Sequence, residues 1–149
     1  MIWTELTKKA YIIALCAHQG QVDKAGNPYF EHPKHVAEQM DDEISCAVAL
    51  LHDVLEDTAL TAEQLAEFPV SLPPEVIESV VHLTHTPDSG LSYLDYVRSI
   101  REDQVATKVK IADLRHNSDI SRLGHEPTEK DLSRLKRYQK ALAILTGTE

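Results

Sequence analysis

The chain has no apolar stretch close to the length that a membrane-spanning helix needs. Such a helix requires about 20 consecutive, predominantly apolar residues, and the apolar runs here are far shorter. Cysteine is scarce as well, because Cys16 and Cys46 stand alone without the spacing of a disulfide framework or a CxxC motif. We therefore expect two reduced thiols that lie in the core, as in cytoplasmic proteins.

Basic residues are also fewer than acidic ones. The chain carries 15 Lys and Arg residues against 24 Asp and Glu residues, which gives a formal net charge of −9. This balance disfavours a nucleic-acid backbone as a partner, although a metal and a few local cations can still attract a phosphorylated small molecule. The N-terminal segment lacks the residue order of a signal peptide. We expect a cytoplasmic protein that binds neither membranes nor nucleic acids.

The patterns that are present indicate helices. No segment alternates over the length of a strand, and we find no repeats and no low-complexity linkers. Apolar residues recur instead with a helical period, between prolines, glycines and capping residues that mark helix ends. We predict one all-α domain over 1–149, a bundle of about seven or eight helices. The predicted helices cover about 4–17, 33–40, 43–56, 92–100 and 103–122, and others begin near 61, 73 and 128. Gly20 is expected to cap the first of them.

The segment from 47 to 58, AVALLHDVLEDT, places four polar groups in an otherwise apolar helix. Burying unpaired imidazole and carboxylate groups is costly, so such a helix has no structural use for them. His52 and Asp53 share a face with Glu56 and Asp57, because residues i, i+1, i+4 and i+5 project to one side of a helix. Imidazole and carboxylate are ligands of divalent transition metals, and additional carboxylates can handle water. The pattern predicts a metal-centred active site.

The segment VKIADLRHN, at 109–117, carries a second group of polar residues on one helix face: Lys110, Asp113 and Asn117. The apolar residues between them indicate that this helix is largely buried. A buried aspartate needs a cation, which is either the lysine in an ion pair or a metal ion. The segment alone leaves both possibilities open.

His32 stands before a proline at a helix entry. A lone histidine in that position is more often a cap or a surface residue than a metal ligand. Its combination with His52-Asp53 and Asp113, in that order along the chain, favours the metal-ligand interpretation. The order resembles the HD superfamily of metal-dependent phosphohydrolases.

The surrounding segments narrow the resemblance. AHQGQ, GNPYFEHP, AVALLHDVLEDT and VKIADLRHN together resemble the hydrolase domain of RelA/SpoT-type guanosine tetraphosphate enzymes, and they occur in the same order. The resemblance covers about 10–117. It implies an all-helical HD domain, a divalent metal that is usually Mn²⁺, and hydrolytic removal of the 3′-pyrophosphate from a guanine nucleotide. It also implies roles for seven residues: His32, His52, Asp53 and Asp113 as metal ligands, Glu56 and Asp57 in support of the catalytic water, and Asn117 in contact with the substrate near the ribose.

Two positions depart from the RelA/SpoT-type pattern. Asp23-Lys24 stands where these hydrolases carry Arg-Lys, and the exchange of arginine for aspartate reverses the charge and removes a planar surface for stacking on guanine. Leu114-Arg115 transposes the usual Arg-Leu, which moves a cation by ~100° around the helix. Three basic residues are candidates for binding phosphate groups: Lys24 in the Asp23-Lys24 loop, and Lys110 and Arg115 in the 109–117 segment.

Three functions stay open at this point. The first is a guanosine tetraphosphate pyrophosphohydrolase, and the second is an HD phosphohydrolase for another nucleotide or phosphorylated metabolite, which Asp23 favours. The third is a non-catalytic sensing module with a structural metal. A structural site requires only the metal ligands, so the presence of Glu56 and Asp57 argues against this function. The sequence also leaves open the oligomeric state and whether three further residues line the pocket: His18, Tyr93 and Tyr96.

Overall fold

The structure, a computed structural model, describes residues 1–149 and is built from helices. Extended pairing is limited to an isolated bridge between Val22 and Pro28, so the all-α prediction is confirmed. None of the helices combines the length and the apolar character needed to cross a membrane. The nine α-helices are α1 (Glu5–Ala17), α2 (Glu31–Glu38), α3 (Glu43–Leu51), α4 (Val54–Asp57), α5 (Ala62–Ala66), α6 (Pro74–His82), α7 (Tyr93–Ile100), α8 (Gln104–Asn117) and α9 (Glu129–Thr146). Two short 3₁₀ helices cover Pro87–Ser89 and Ile120–Leu123.

Helix α3 is the centre of the fold. Its sequence, EISCAVALL, is apolar around most of its circumference, and every residue from Ser45 to Leu51 is buried. A helix with this pattern has to be surrounded on all sides, and α3 contacts α1, α2, α6 and α8. Asp42 fixes its start by accepting a hydrogen bond from the backbone N–H of Ser45 at 2.8 Å. The buried C-terminal end of α3 therefore lies deep inside the domain.

Helix α8 begins at a polar junction with α6. Asp103 caps α8 by accepting a hydrogen bond from the N–H of Ala106 at 3.0 Å. Its second oxygen accepts hydrogen bonds from the Ser79 hydroxyl and from Nδ1 of His82, each at 2.8 Å. Burial acts to raise the pKa of Asp103, but these hydrogen bonds outweigh it and lower the pKa below its ordinary value. The carboxylate thus fixes both the start of α8 and its position against α6.

The helix predicted to begin near 61 is confirmed, and it starts with a reciprocal cap. Thr61 accepts a hydrogen bond from the N–H of Gln64 at 3.2 Å, and the Gln64 side chain accepts one from the N–H of Thr61 at 3.0 Å. Thr4 and Thr128 form the same reciprocal arrangement at the starts of α1 and α9.

The predicted continuous helix over 43–56 is wrong. Helix α3 ends at Leu51 with His52 as its C-cap, and α4 begins at Val54. Asp53, with φ −101° and ψ −1°, lies between the two helices. The chain therefore has one helix more than the largest number predicted, and His52 and Asp53 do not belong to a single regular helix face.

Two other boundaries and one burial prediction need correction. The helix predicted over 103–122 ends at Asn117, because Asp119 turns to cap the next short helix through the N–H and hydroxyl of Ser121. Helix α1 is capped by His18 rather than Gly20, whereas α2 starts at Glu31 and has Pro33 in its first turn. Cys46 is buried as expected, but Cys16 is exposed.

Candidate metal centre and substrate pocket

The four predicted ligands come together where α2, α3 and α8 meet. Nε2 of His32 lies 2.8 Å from Oδ1 of Asp113. Nε2 of His52 lies 3.2 Å from Oδ2 of Asp53 and 3.3 Å from the same Asp113 oxygen. Nε2 of His32 lies 3.8 Å from Oδ2 of Asp53. Each carboxylate therefore lies close to both imidazole Nε2 atoms, and the ligand atoms of His32, His52 and Asp53 all lie within 4.8 Å of one another.

The buried imidazole of His52 is suited to hold a cation. Its Nδ1 donates a hydrogen bond to the carbonyl of Ala49 at 2.6 Å, which leaves the lone pair on Nε2 directed at the carboxylates. This Nε2 is buried and has no hydrogen bond of its own. Because nearly all buried polar atoms in proteins have a partner, the open Nε2 beside two carboxylates fits a divalent metal ion.

The electrostatics of the centre also favour a cation. Burial acts against the charge on His52, but Asp53 and Asp113 outweigh it and raise the pKa of the imidazole well above its ordinary value. Burial likewise opposes ionisation of Asp113, but the charge of Lys110, followed by the two adjacent histidines, holds its pKa well below the ordinary range. The potential that draws a proton to His52 would equally draw a metal ion.

His116, which the sequence analysis did not single out, positions His32. The Nδ1 atoms of the two rings are 2.7 Å apart. Burial, followed by the nearby charge of Arg122, lowers the pKa of His116 to about 3, so this ring is neutral at ordinary pH. A neutral His116 can accept the Nδ1 proton of His32, which keeps the lone pair of His32 on Nε2, where the other donors converge.

Tyr29 is a second residue that the sequence analysis missed. Its hydroxyl donates a hydrogen bond to Oδ2 of Asp53 at 2.5 Å. Burial, together with the adjacent Asp53, raises the pKa of the phenol, so it remains a donor. The available signal was its place in the GNPYFEHP segment, three residues before His32.

Lys110 contacts the predicted ligand Asp113 rather than open space. Its Nζ lies 2.9 Å from Oδ2 of Asp113, and 5.9 Å and 5.8 Å from the ring centres of Tyr93 and Tyr96. Tyr96 is buried and donates its hydroxyl proton to the carbonyl of Leu83. Sequence analysis left two possible cations for Asp113, and the ion pair with Lys110 is present beside the predicted metal ligands.

Glu56 and Asp57 lie at the solvent-facing edge of the centre. Their carboxylates and that of Asp53 lie within 4.8 Å of one another. Burial, reinforced by the neighbouring carboxylates, raises the pKa of both Glu56 and Asp57 above the ordinary values. Glu56 is also held in place, because its Oε1 accepts a hydrogen bond from the N–H of His85 at 2.7 Å. These two residues can bind and deprotonate water next to the ligand cluster.

The buried His18 braces this edge. Its Nδ1 lies 2.8 Å from Oε1 of Gln21, and the amide of Gln21 donates a hydrogen bond to the carbonyl of Asp57 at 2.9 Å. The imidazole of His18 is thus connected to α4 through the side chain of Gln21, which helps to fix the position of Asp57.

A cavity of about 280 Å³ adjoins the centre at His32 and Tyr29. It includes the predicted Lys24 and Asn117, while Lys110 is not among its lining residues. Asn117 also donates a hydrogen bond to Oδ1 of Asp113 at 3.0 Å, so it lies between the ligand cluster and the cavity. The sequence analysis missed three further lining residues: Arg122, Arg134 and Tyr138.

The loop that departs from the RelA/SpoT-type pattern borders this cavity, which we call the substrate pocket. Oδ1 of Asp23 accepts hydrogen bonds from the N–H groups of Ala25 and Asn27, at 3.0 and 2.9 Å. Lys24 pairs with Asp131 on α9 at 2.7 Å. Both side chains therefore hold the loop in shape and are only partly available to a ligand.

Comparisons with known proteins agree with this arrangement. No family model matches the chain. It is 34% identical over 139 residues to a GTP pyrophosphokinase of Myxococcus xanthus, an alignment that covers 85% of the chain and 18% of the relative. It is 30% identical over 120 residues to the bifunctional (p)ppGpp synthase/hydrolase SpoT of Escherichia coli K12, with 74% of the chain and 17% of the relative covered. The chain resembles the hydrolase domain of RelA/SpoT-type enzymes.

A solved structure supports the fold. It is described as "A metazoan ortholog of SpoT hydrolyzes ppGpp and plays a role in starvation responses", and it matches with a TM-score of 0.74. The match covers 100% of this chain and 90% of that one at 24% sequence identity. The helical arrangement is therefore that of a known fold, whereas the chain spans less than a fifth of the length of the two curated relatives.

Proposed function

We propose that this chain is a metal-dependent phosphohydrolase that removes the 3′-pyrophosphate from guanosine tetraphosphate or a closely similar nucleotide in the cytoplasm. The observation that carries the proposal is the convergence of His32, His52, Asp53 and Asp113 beside a pocket with basic residues. Relatives named for the synthesis and hydrolysis of (p)ppGpp support the choice of substrate class. The presence of Glu56 and Asp57 favours catalysis over a structural metal site.

We assign the four convergent residues as ligands of one divalent metal, with Mn²⁺ as the preferred ion. When bound, such an ion supplies an acidified water molecule and stabilises negative charge on a phosphate. Glu56 accepts a proton from the attacking water, and its raised pKa brings its basicity closer to the working pH. Asp57, which His18 and Gln21 hold in position, orients the same water.

The reaction requires attack of the water oxygen on the phosphorus atom bonded to the 3′ oxygen. The bond between that phosphorus and the 3′ oxygen breaks, pyrophosphate is released, and the 3′ oxygen takes up a proton. Arg122 and Arg134 border the pocket and can offset the charge of the nucleotide phosphates. Asn117 bridges the ligand Asp113 and the pocket, which suits a contact with the sugar.

One observation favours a second candidate, hydrolysis of a different nucleotide or phosphorylated metabolite. Asp23 has no flat surface on which a purine base can stack, and its carboxylate is engaged in closing its own loop. A cation on the face of an aromatic ring contributes ~0.5–2 kcal/mol. Without it, we expect a weaker preference for guanine than in enzymes with arginine at this position.

A nucleotide panel separates the two candidates. The purified chain, loaded with Mn²⁺, is incubated with guanosine tetraphosphate, adenosine and guanosine di- and triphosphates, and a simple phosphomonoester. Pyrophosphate and orthophosphate are measured separately. Pyrophosphate release from guanosine tetraphosphate supports the proposal, and orthophosphate release from the other compounds favours the second candidate.

The His52→Ala variant serves as the control for contaminating phosphatases. It removes the open Nε2 of the centre while leaving the pocket residues in place, so it should lose both activity and bound metal. Activity that survives in His52→Ala, or absence of turnover in the Mn²⁺-loaded wild type on every compound, would contradict the proposed function.

A further inference from the structure

A second cavity lies between α2 and α8, and we call it the α2/α8 groove. Its volume is about 620 Å³, more than twice that of the substrate pocket. Apolar residues such as Ile111 and Ala112 form part of its wall. The charged lining residues are three cations and one carboxylate: Lys108, Arg115, Arg122 and Asp119.

The charge of the groove is opposite to that of the whole chain. The chain has 24 acidic and 15 basic residues, whereas the groove has one acidic and three basic residues. The single carboxylate is already engaged, since Oδ1 of Asp119 accepts hydrogen bonds from the N–H and hydroxyl of Ser121 at 3.0 and 2.6 Å. Local positive charge in an acidic protein points to an anionic ligand.

The three cations differ in how far they are engaged. Lys108 forms ion pairs with Asp41 and Asp42, the latter at 2.8 Å. Arg122 donates from Nη1 to the carbonyl of His116 at 2.9 Å. Arg115 is exposed and has neither an ion pair nor a hydrogen bond. The guanidinium of Arg115 is therefore free to bind a ligand, with Arg122 as its neighbour in the groove.

Arg115 faces the groove because of its place on α8. It follows Lys108 by seven residues and Ile111 by four, so all three lie on one helix face. The preceding Leu114 is buried in the core. The order Leu-Arg at 114–115, which departs from the RelA/SpoT-type pattern, thus places the cation in the groove and the leucine in the core.

We propose that the α2/α8 groove is a second anion-binding site, in which Arg115 and Arg122 bind the phosphate group of a small phosphate-bearing molecule. Guanidinium groups match phosphate oxygens with two parallel N–H donors each. The volume of the groove accommodates a ligand larger than orthophosphate. The site is distinct from the metal centre, because none of the four metal ligands lines it.

The groove and the substrate pocket share Arg122, which borders both. An anion that engages this guanidinium in the groove leaves less positive charge available to the pocket. We therefore expect negative coupling, in which a ligand in the groove weakens anion binding in the pocket by a few-fold.

Calorimetric titration with inorganic pyrophosphate tests the proposal. The full chain is stripped of metal, so that chelation does not contribute, and is titrated as wild type and as Arg115→Gln, Arg134→Gln and Arg101→Gln. Arg101→Gln is the matched control, because Arg101 is an exposed arginine at the end of α7, outside both cavities. We expect Arg115→Gln to lose roughly tenfold or more in affinity at one site, Arg134→Gln to weaken a different site, and Arg101→Gln to match the wild type.

Two results would overturn the proposal. Arg115→Gln could bind pyrophosphate as the wild type does, or Arg101→Gln could lose as much affinity, which would make the effect one of net charge. Equal affinity for sulfate would show that the groove does not select phosphate. The measurement needs no turnover, so its failure is distinguishable from failure of the proposed hydrolase activity, which appears only in the nucleotide panel.

Discussion

The hydroxyl of Tyr29 offers a sharp test of how the metal centre is organised. It donates to Oδ2 of Asp53 at 2.5 Å, the oxygen that also faces His52 at 3.2 Å. This length is typical of a hydrogen bond from a hydroxyl to an ionised carboxylate. Tyr29→Phe removes the hydroxyl but keeps the ring, which packs 5.9 Å from the ring of His32.

The expected loss in metal affinity follows from that single bond. A hydrogen bond to a charged group is worth ~1.5–3 kcal/mol, and removing a group that orients a metal ligand typically weakens metal binding by ~10–100-fold. We expect Tyr29→Phe to raise the dissociation constant for Mn²⁺ by roughly 10–100-fold, while the fold is retained.

The assay is calorimetric titration of metal-free protein with Mn²⁺. Tyr11→Phe is the matched control, because Tyr11 packs against Trp3 and Phe30 and its hydroxyl makes no hydrogen bond; this variant should bind Mn²⁺ as the wild type does. If Tyr29→Phe stays within about twofold of the wild type, Tyr29 does not position Asp53, or Asp53 is not a ligand.

Three further predictions concern catalysis, base recognition and stability. Glu56→Gln should retain stoichiometric metal but lose ~10²–10⁴-fold in turnover; near-normal turnover would remove Glu56 from the mechanism. Asp23→Arg should improve affinity for guanosine tetraphosphate, but by less than a new cation at this position would alone, because the substitution breaks two hydrogen bonds of the loop. Asp23→Asn keeps an acceptor oxygen and should leave the affinity unchanged. Both expectations are checked by KM values measured at one salt concentration. Asp103→Ala should lower the free energy of unfolding by ~2–4 kcal/mol, from the lost helix cap and the unsatisfied hydroxyl of Ser79, as urea titration measures. Because the folded pKa of Asp103 is lowered, the contribution of its charge is complete above the unfolded pKa near 3.8 and disappears as the pH falls through the folded pKa, so the difference between the two free energies of unfolding should become smaller in acid.

The sequence predicted the class of fold from local signals, and it predicted the candidate ligands from the order of four residues along the chain. Helical periodicity and caps such as Thr61 are properties of short segments, and the donor types of His52 and Asp53 are visible without a fold. The break after Leu51 was not predicted, because the apolar pattern continues through it. Nor could the pairing of Tyr29 with Asp53 be predicted, since it joins residues 24 positions apart through the packing of α2 against α3.

The lining of the pocket and groove was the least predictable part. Arg122 and Arg134 lie beyond the resembling segments, and Arg134 reaches the pocket because α9 packs against α8. Lys110, in contrast, was predicted to bind phosphate because it stands next to candidate ligands, and it does not line the pocket. In the fold its position three residues before Asp113 directs it back to that carboxylate.

The proposed ligand set has a consequence for how the chain folds and holds together. His32 and Asp113 are 81 residues apart in the sequence, so an ion bound by both closes a loop that contains more than half of the chain. An ion that binds the folded chain and not the unfolded chain adds stability that grows with metal concentration, by about 2.7 kcal/mol at 100 times the dissociation constant. Chelation should therefore weaken first the attachment of α8 to α2 and α3. Hydrogen exchange in α8 should accelerate on metal removal before that in α1, which contributes no ligand.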